Sequence, residues 1–229
     1  QAAGHIADAR QKGAKLVVMD PRMSNSAGMA DLWIACWPGT EAALYLYLVQ
    51  RMLTEDKVDK AFVKKWFNWE VMMDNKNYLN FMVEKGYISK VPKGDDFETY
   101  LDMLKELYAP YTLDYAVKET HVPAYKIEEL YDMFIWAGTA ISSYFWRAAA
   151  AGNLGGWTSG RTGFLALGLR GAIGPEGGTF FHHWHVISVA GKGGSATVGQ
   201  GKRGSNIPKV DTWNELSFPP EWPMSSYEM

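Results

Sequence analysis

Gly13-Ala-Lys-Leu-Val-Val-Met-Asp-Pro-Arg22 decides the fold of this chain. Its centre is a short apolar run, β-branched at Val17 and Val18, between Gly13 and Pro21. An apolar run without polar alternation suits a strand covered on both faces, as in a parallel sheet. The strand is expected over 15–20. Asp20 then stands at its carboxyl end, where open α/β sheets place ligands.

Upstream, residues 2–12 read as a helix stopped by Gly13. Downstream, residues 24–30 are small and polar and read as a loop with a short helical turn. Leu32 to Trp37 reads as a second strand, broken by Pro38-Gly39. Thr40 suits an N-cap, and Glu41 places charge in the first turn of a helix carrying Ala42, Leu44, Leu46, Leu48 and Met52. Further helices are expected over 56–66, roughly 69–85, 97–108, from Thr112 to Glu119, and from Pro123 through Phe134. Residues 86–96 form a turn region. Ala140 to Trp146 is a third strand candidate, and Trp157 to Arg170 a helix closed by Gly171 and Gly174.

The order strand, strand, helices, strand, helix gives an α/β class. The expected architecture is a Rossmann-like, mostly parallel sheet flanked by helices, with a helical insertion and an irregular C-terminal segment. Residues 1–180 form the α/β domain and 181–229 an extended linker toward a next domain. Gln1 in place of methionine and the aromatic, proline-rich close from Trp222 to Met229 lead us to expect an internal piece of a longer polypeptide.

The chain has 229 residues and is 47% hydrophobic, enough to build one core or two. A net charge of −2 gives no basic face for nucleic acid or an anionic membrane. No apolar run is long enough for a transmembrane helix and no signal peptide pattern is visible; the compartment stays open. One cysteine excludes an internal disulfide, and an iron–sulfur or zinc cluster built from this chain alone. Cys36, inside the second strand, reads as a buried structural thiol. His182, His183 and His185 lack a second ligand pair and read as surface or interface histidines. Gly191-Lys-Gly-Gly194 and Gly199-Gln-Gly-Lys202 neither follow a strand nor open a helix, which rejects a phosphate loop.

Chemistry gathers at the two strand ends. A carboxylate at Asp20 can accept from ribose hydroxyls or from guanine N1–H and N2–H. Ser24 and Ser26 offer hydroxyls, Arg22 a fork for phosphate, and Gly39 a close backbone approach. Glu41 brings a second carboxylate to the same crevice. Singly, Asp-Pro and Pro-Gly-Thr-Glu are ordinary turn and cap sequences. Together, at two strand ends 21 positions apart, they favour a nucleotide pocket.

The run from Gly13 to Arg22, then Ser24, Ser26, Ala27, Ala30 and Asp31, then Pro38-Gly-Thr-Glu-Ala-Ala-Leu44, resembles the guanine-nucleotide segment of the dimethyl sulfoxide reductase family of molybdopterin enzymes. Tyr111 to Ile127 and Gly171-Ala-Ile-Gly-Pro-Glu-Gly-Gly178 resemble later stretches of that family in the same order. The resemblance implies a molybdopterin guanine dinucleotide cofactor with Mo or W, in an oxidoreductase of two-electron or oxygen-atom transfer. It implies cofactor contacts at Asp20, Pro21, Arg22, Ser24, Pro38, Gly39, Thr40 and Glu41, with Trp146 and Arg147 near the pterin. Asp20 would take the guanosine moiety and Glu41 the base. Glu41 departs from the family's commoner Asp by one methylene.

No catalytic residue or metal ligand is implied in this segment; the metal ligand would come from an upstream one. An iron–sulfur cluster would belong to that upstream part or to a partner subunit. The implied partners are the rest of the catalytic subunit, an iron–sulfur electron-transfer subunit and a small-molecule substrate, with no nucleic acid and no direct membrane span. Trp213-Asn-Glu-Leu and Pro219-Pro-Glu-Trp-Pro resemble a subset of the family that includes acetylene hydratase-like and phenylacetyl-CoA oxidoreductase-like enzymes. Two rivals stand beside this reading. An NAD(P)-dependent dehydrogenase needs a glycine-rich fingerprint after the first strand, where Asp-Pro-Arg stands instead. A non-catalytic scaffold would keep the fold and hold neither metal nor pterin.

Overall fold

The computed structural model describes residues 2–143 and 156–179. The apolar run after Gly13 forms strand β1 (Val17–Met19), and Leu32–Ile34 forms strand β2. They pair in parallel, with Val17 opposite Leu32, Val18 opposite Trp33 and Met19 opposite Ile34. The Asp20 amide donates to the Ile34 carbonyl at 3.1 Å, so the pairing runs one step past β1. Helix α1 (Ala2–Gln11) precedes the sheet and stops before Gly13, whose φ of +97° suits only glycine.

Parallel strands need a crossover. Here it holds the short helix α2 (Asn25–Gly28), capped by Ser24 Oγ accepting from the Ala27 amide at 3.3 Å. Asp31 fixes where β2 begins. It accepts the Leu16 amide at 2.8 Å and pairs with Arg10 and Lys15. The Leu16 amide, then Arg10, hold the Asp31 carboxyl below its usual range.

The core centres on α3 (Glu41–Thr54). Leu44, Leu48, Val49 and Met52 are fully buried, and helical spacing puts them on one broad stripe. Helices α4 (Lys60–Trp66), α5 (Trp69–Asp74) and α6 (Lys76–Glu84) follow. Then come α7 (Phe97–Tyr108), α8 (Leu113–Thr120), α9 (Ala124–Trp136) and α10 (Gly156–Leu169). α3 packs against α7, α8 and α10, while α9 lies on α8 and β2. Arg51 on α3 bonds Tyr47 and Glu55 and lies 4.1 Å from the Tyr131 ring of α9. Tyr131 in turn donates to Glu55 at 2.7 Å, joining the two helices.

The C-terminal end of α10 is tied back to the start of α4. The Asp59 amide donates to the Leu169 carbonyl at 2.7 Å, and the Arg170 guanidinium to the Lys57 carbonyl at 2.6 Å. Asp59 also caps α4, its Oδ1 accepting from Phe62 at 2.9 Å. Gly171, at φ +66°, passes so close that a Cβ there would meet Asp59 Oδ2 at 2.5 Å.

Three expectations need correction. The helix expected over 69–85 is two helices. Asn75 leaves the helical region and its side chain caps α6, accepting from Tyr78 at 3.0 Å. Cap chemistry here overrides propagation of the apolar pattern. Nor is a strand formed by the described part of 140–146. There the Thr179 hydroxyl donates to the Ile141 carbonyl at 2.9 Å and accepts the Ser143 amide at 3.2 Å. One side chain satisfies the backbone that a ladder would have used. Among the described residues the structure is therefore helix-rich around a two-stranded parallel sheet, narrower than the Rossmann-like sheet expected. The linker assigned to 181–229, with its histidine cluster and glycine-rich stretches, lies outside the described residues.

Candidate functional site

The carboxyl ends of β1 and β2 meet the N-terminus of α3, and the two acidic residues sit at this junction. Asp20 is half-buried. Its Oδ1 accepts the Arg22 amide at 2.9 Å, and its carbonyl accepts Trp33 Nε1 at 2.8 Å. Local bonding of this type fixes the turn through Pro21. Among the described residues Oδ2 makes no hydrogen bond. Arg22, exposed, lines an open concavity of about 530 Å³ with Met23, Ser24, Asn25 and Ser26. Ser24 already accepts from Ala27, so its hydroxyl is partly committed to capping α2.

The second strand ends in a tight turn. Thr40 N donates to the Trp37 carbonyl at 3.1 Å across Pro38 and Gly39. Proline second and glycine third, at φ +87°, make a type II turn. Thr40 occupies the N-cap position, yet its hydroxyl donates to the Trp37 carbonyl at 2.7 Å and makes no cap bond. The expected side-chain cap is thus absent, and the Ala43 amide in the first turn of α3 donates instead to the Thr40 carbonyl at 3.0 Å.

Glu41 opens α3. Its Oε2 is buried and has no hydrogen-bond partner among the described residues. Leaving a buried acceptor unmet costs about 1–3 kcal/mol and is uncommon in native folds. The Cys36 thiol is 2% exposed and is pushed up to about 12, first by burial, then by the negative charge of Glu41 and of Asp20. Cys36 is the buried thiol that the sequence implied.

Sequence reasoning passed over two residues here. Tyr45 lies one turn beyond Glu41; its hydroxyl donates to Met19 Sδ at 3.8 Å and hydrogen-bonds Ser143, while burial raises its pKa. The i, i+4 spacing from Glu41 was the available signal. Trp37, 61% exposed, stacks on His121 at 4.8 Å between centroids. His121 holds a left-handed backbone, φ +57°, at the end of α8. Trp146 and Arg147 lie outside the described residues.

The arrangement offers acceptors from the Asp20 and Glu41 carboxylates and a donor fork from the exposed Arg22. A ligand with paired N–H donors and an anionic tail matches both. Among the described residues, no group of three or more His, Cys, Asp and Glu could hold a metal, and no helix is long and apolar enough to cross a membrane.

No protein-family profile matches the chain. Curated relatives do. Acetylene hydratase of Syntrophotalea acetylenica is 43% identical over 58 residues, 25% of this chain and 8% of the relative. Dimethyl sulfoxide reductase DmsA of Escherichia coli strain K12 is 34% identical over 128 residues, 55% of this chain and 14% of the relative. The chain thus matches only a small part of the length of these relatives. Among solved structures, acetylene hydratase from Pelobacter acetylenicus superposes with a TM-score of 0.54 at 24% identity, covering 75% of this chain and 19% of that one, which shows a shared fold. Over part of its length the chain is thus similar to members of the dimethyl sulfoxide reductase family of molybdopterin enzymes.

Proposed function

We propose that the crevice at the ends of β1 and β2 holds the guanine nucleotide end of a molybdopterin guanine dinucleotide, within a molybdenum or tungsten oxidoreductase. The observation that carries this reading is the buried Oε2 of Glu41, without a hydrogen-bond partner among the described residues, at the N-terminus of α3 where the strand end bearing Asp20 also lies. Guanine presents two adjacent donors, N1–H and N2–H, and carboxylates are the groups that meet such an edge. In this reading Glu41 takes the base and Asp20 the guanosine. Arg22 and Ser24 face the phosphates, while Pro21, Pro38, Gly39 and Thr40 shape the backbone around them. Trp146 and Arg147 belong near the pterin.

When bound, the cofactor supplies a pterin-held metal for two-electron or oxygen-atom transfer, and the protein orients it. The relatives are a hydratase and a sulfoxide reductase by name, and that difference favours a shared cofactor-holding role for this segment. We further assign residues 1–180 to a molybdopterin guanine dinucleotide-binding α/β domain and 181–229 to an extended linker toward the next domain. The remainder of the catalytic subunit, an iron–sulfur cluster upstream or on a partner subunit, and a small-molecule substrate complete the enzyme.

Titration of the protein with guanosine diphosphate, adenosine diphosphate and NADH tests the assignment. Guanosine diphosphate should bind preferentially. Asp20→Asn and Glu41→Gln should each weaken it about 10- to 100-fold, the range for hydrogen bonds to a charged group. Preference for NADH would replace this reading with a dehydrogenase.

A further inference from the structure

A carboxylate at a strand tip meets a ligand only as sharply as the backbone beneath it is held. Asp20 sits where β1 has just ended, one residue before Pro21. Proline confines the residue before it to extended backbone but leaves a broad range there. Two bonds narrow that range. The Asp20 amide donates to the Ile34 carbonyl at 3.1 Å, and the Asp20 carbonyl accepts Trp33 Nε1 at 2.8 Å. The first fixes the peptide before Asp20 and the second the peptide after it. In the side chain, Oδ1 is committed to the Arg22 amide at 2.9 Å, while Oδ2 makes no hydrogen bond among the described residues.

Trp33 is itself held. It stands between Leu32 and Ile34, both buried, so strand alternation puts its ring on the opposite face of the sheet. Lys126 of α9 reaches it in two ways. Its Nζ donates to the Trp33 carbonyl at 2.9 Å and lies 5.4 Å from the centre of the Trp33 ring, within cation–π range. The two residues are 93 positions apart, so a distant helix braces the strand tip. None of the residues assigned to the crevice comes from α9. An indole N–H tends to find some partner in any fold. Here that partner is the backbone of the acid assigned to the nucleotide.

We propose that Trp33, braced by Lys126, is a positioning residue of this crevice, holding the Asp20 peptide so that the free carboxylate oxygen is set in place before the nucleotide arrives. The inference rests on the guanine-nucleotide reading above. Such preorganisation raises affinity by lowering the ordering cost of binding, without a new contact. Trp33 and Lys126 touch no ligand, and their effect passes through Asp20.

The test is a set of double-mutant cycles read by calorimetric titration with guanosine diphosphate. Trp33→Phe keeps an aromatic ring and removes the N–H. Lys126→Met keeps the stem and removes the charged donor. Each should weaken binding by about two- to tenfold, the span of one hydrogen bond. Asp20→Ala removes the group being positioned, so in that background neither variant should weaken binding further. A merely structural tie would instead lower the binding-competent fraction, read as stoichiometry, and would do so in both backgrounds. If Trp33→Phe does not fold, Lys126→Met carries the same cycle. Losses that persist in full beside Asp20→Ala overturn the proposal. So do variants that bind the nucleotide as tightly as wild type. If they do so while Asp20→Asn and Glu41→Gln still weaken binding, the crevice assignment stands and only the Trp33 role falls. If guanosine diphosphate does not bind the wild-type protein, both fall.

Discussion

Replacing Glu41 with Met should make the ligand-free protein more stable. Methionine keeps the length and the helix propensity of glutamate and removes the buried oxygen that has no partner among the described residues. Relief of an unmet acceptor is worth about 1–3 kcal/mol. Against it stands the loss of a favourable negative charge at the α3 N-terminus, about 0.3–1 kcal/mol. The net expectation is a gain of about 1–2 kcal/mol, or about 2–8 °C in melting temperature for a chain of this size. Urea denaturation without ligand measures it, with the midpoint rising and the slope unchanged. With guanosine diphosphate at about a hundred times its dissociation constant, the wild type should gain about 2.7 kcal/mol and the variant little. A ligand-free variant that is less stable than wild type would show that Glu41 supports the fold itself, and the argument from its orphaned oxygen would fail. A variant that is stabilised by the nucleotide as much as wild type would remove Glu41 from the base contact.

Other outcomes follow from the packing. Gly171→Ala should destabilise by about 1–2 kcal/mol for the left-handed backbone, with a further loss as Asp59 is pushed off its cap on α4; thermal unfolding measures the total. Leu48→Ala, at the fully buried centre of α3, should cost about 2–5 kcal/mol in urea denaturation. Tyr131→Phe should cost about 1 kcal/mol, because a donor to the partly exposed Glu55 is lost. Glu55 is held below its usual range by Arg51 first and by Tyr131. Its contribution is present above the unfolded pKa of about 4.3 and is lost as pH falls through the lower folded value. The gap between wild type and Tyr131→Phe should therefore close as urea midpoints are followed from neutral pH to below pH 4, and a gap that persists would contradict this.

The sheet's two strands were legible because Val17-Val18-Met19 and Leu32-Trp33-Ile34 are apolar runs fenced by Gly13, Pro21 and Pro38-Gly39. The helices from α3 to α9 were legible from spacing and from polar caps such as Asp96 and Thr112. The break at Asn75 was missed because an apolar stripe on both sides outweighs one asparagine in a reading by periodicity, whereas its side chain acts on a single amide. The strand expected at Ala140 failed for a different reason. Its backbone partner is a threonine side chain 38 positions onward, which no local pattern announces. In the crevice, the two acids could be named from strand ends. Tyr45 could not, because its partners Met19 and Ser143 arrive from 26 positions before it and 98 after.

The tie between α10 and the start of α4 sets an order on biosynthesis. Lys57 and Arg170 stand 113 positions apart, and α10 covers a flank of α3. A nascent chain therefore carries α3 with that flank bare until α10 has left the ribosome. During this interval an apolar helix surface is open to wrong partners. Cutting the chain between Ser143 and Gly156 would make that exposure permanent, so any dissection into smaller units has to keep residues 156–171 with the helices that precede them.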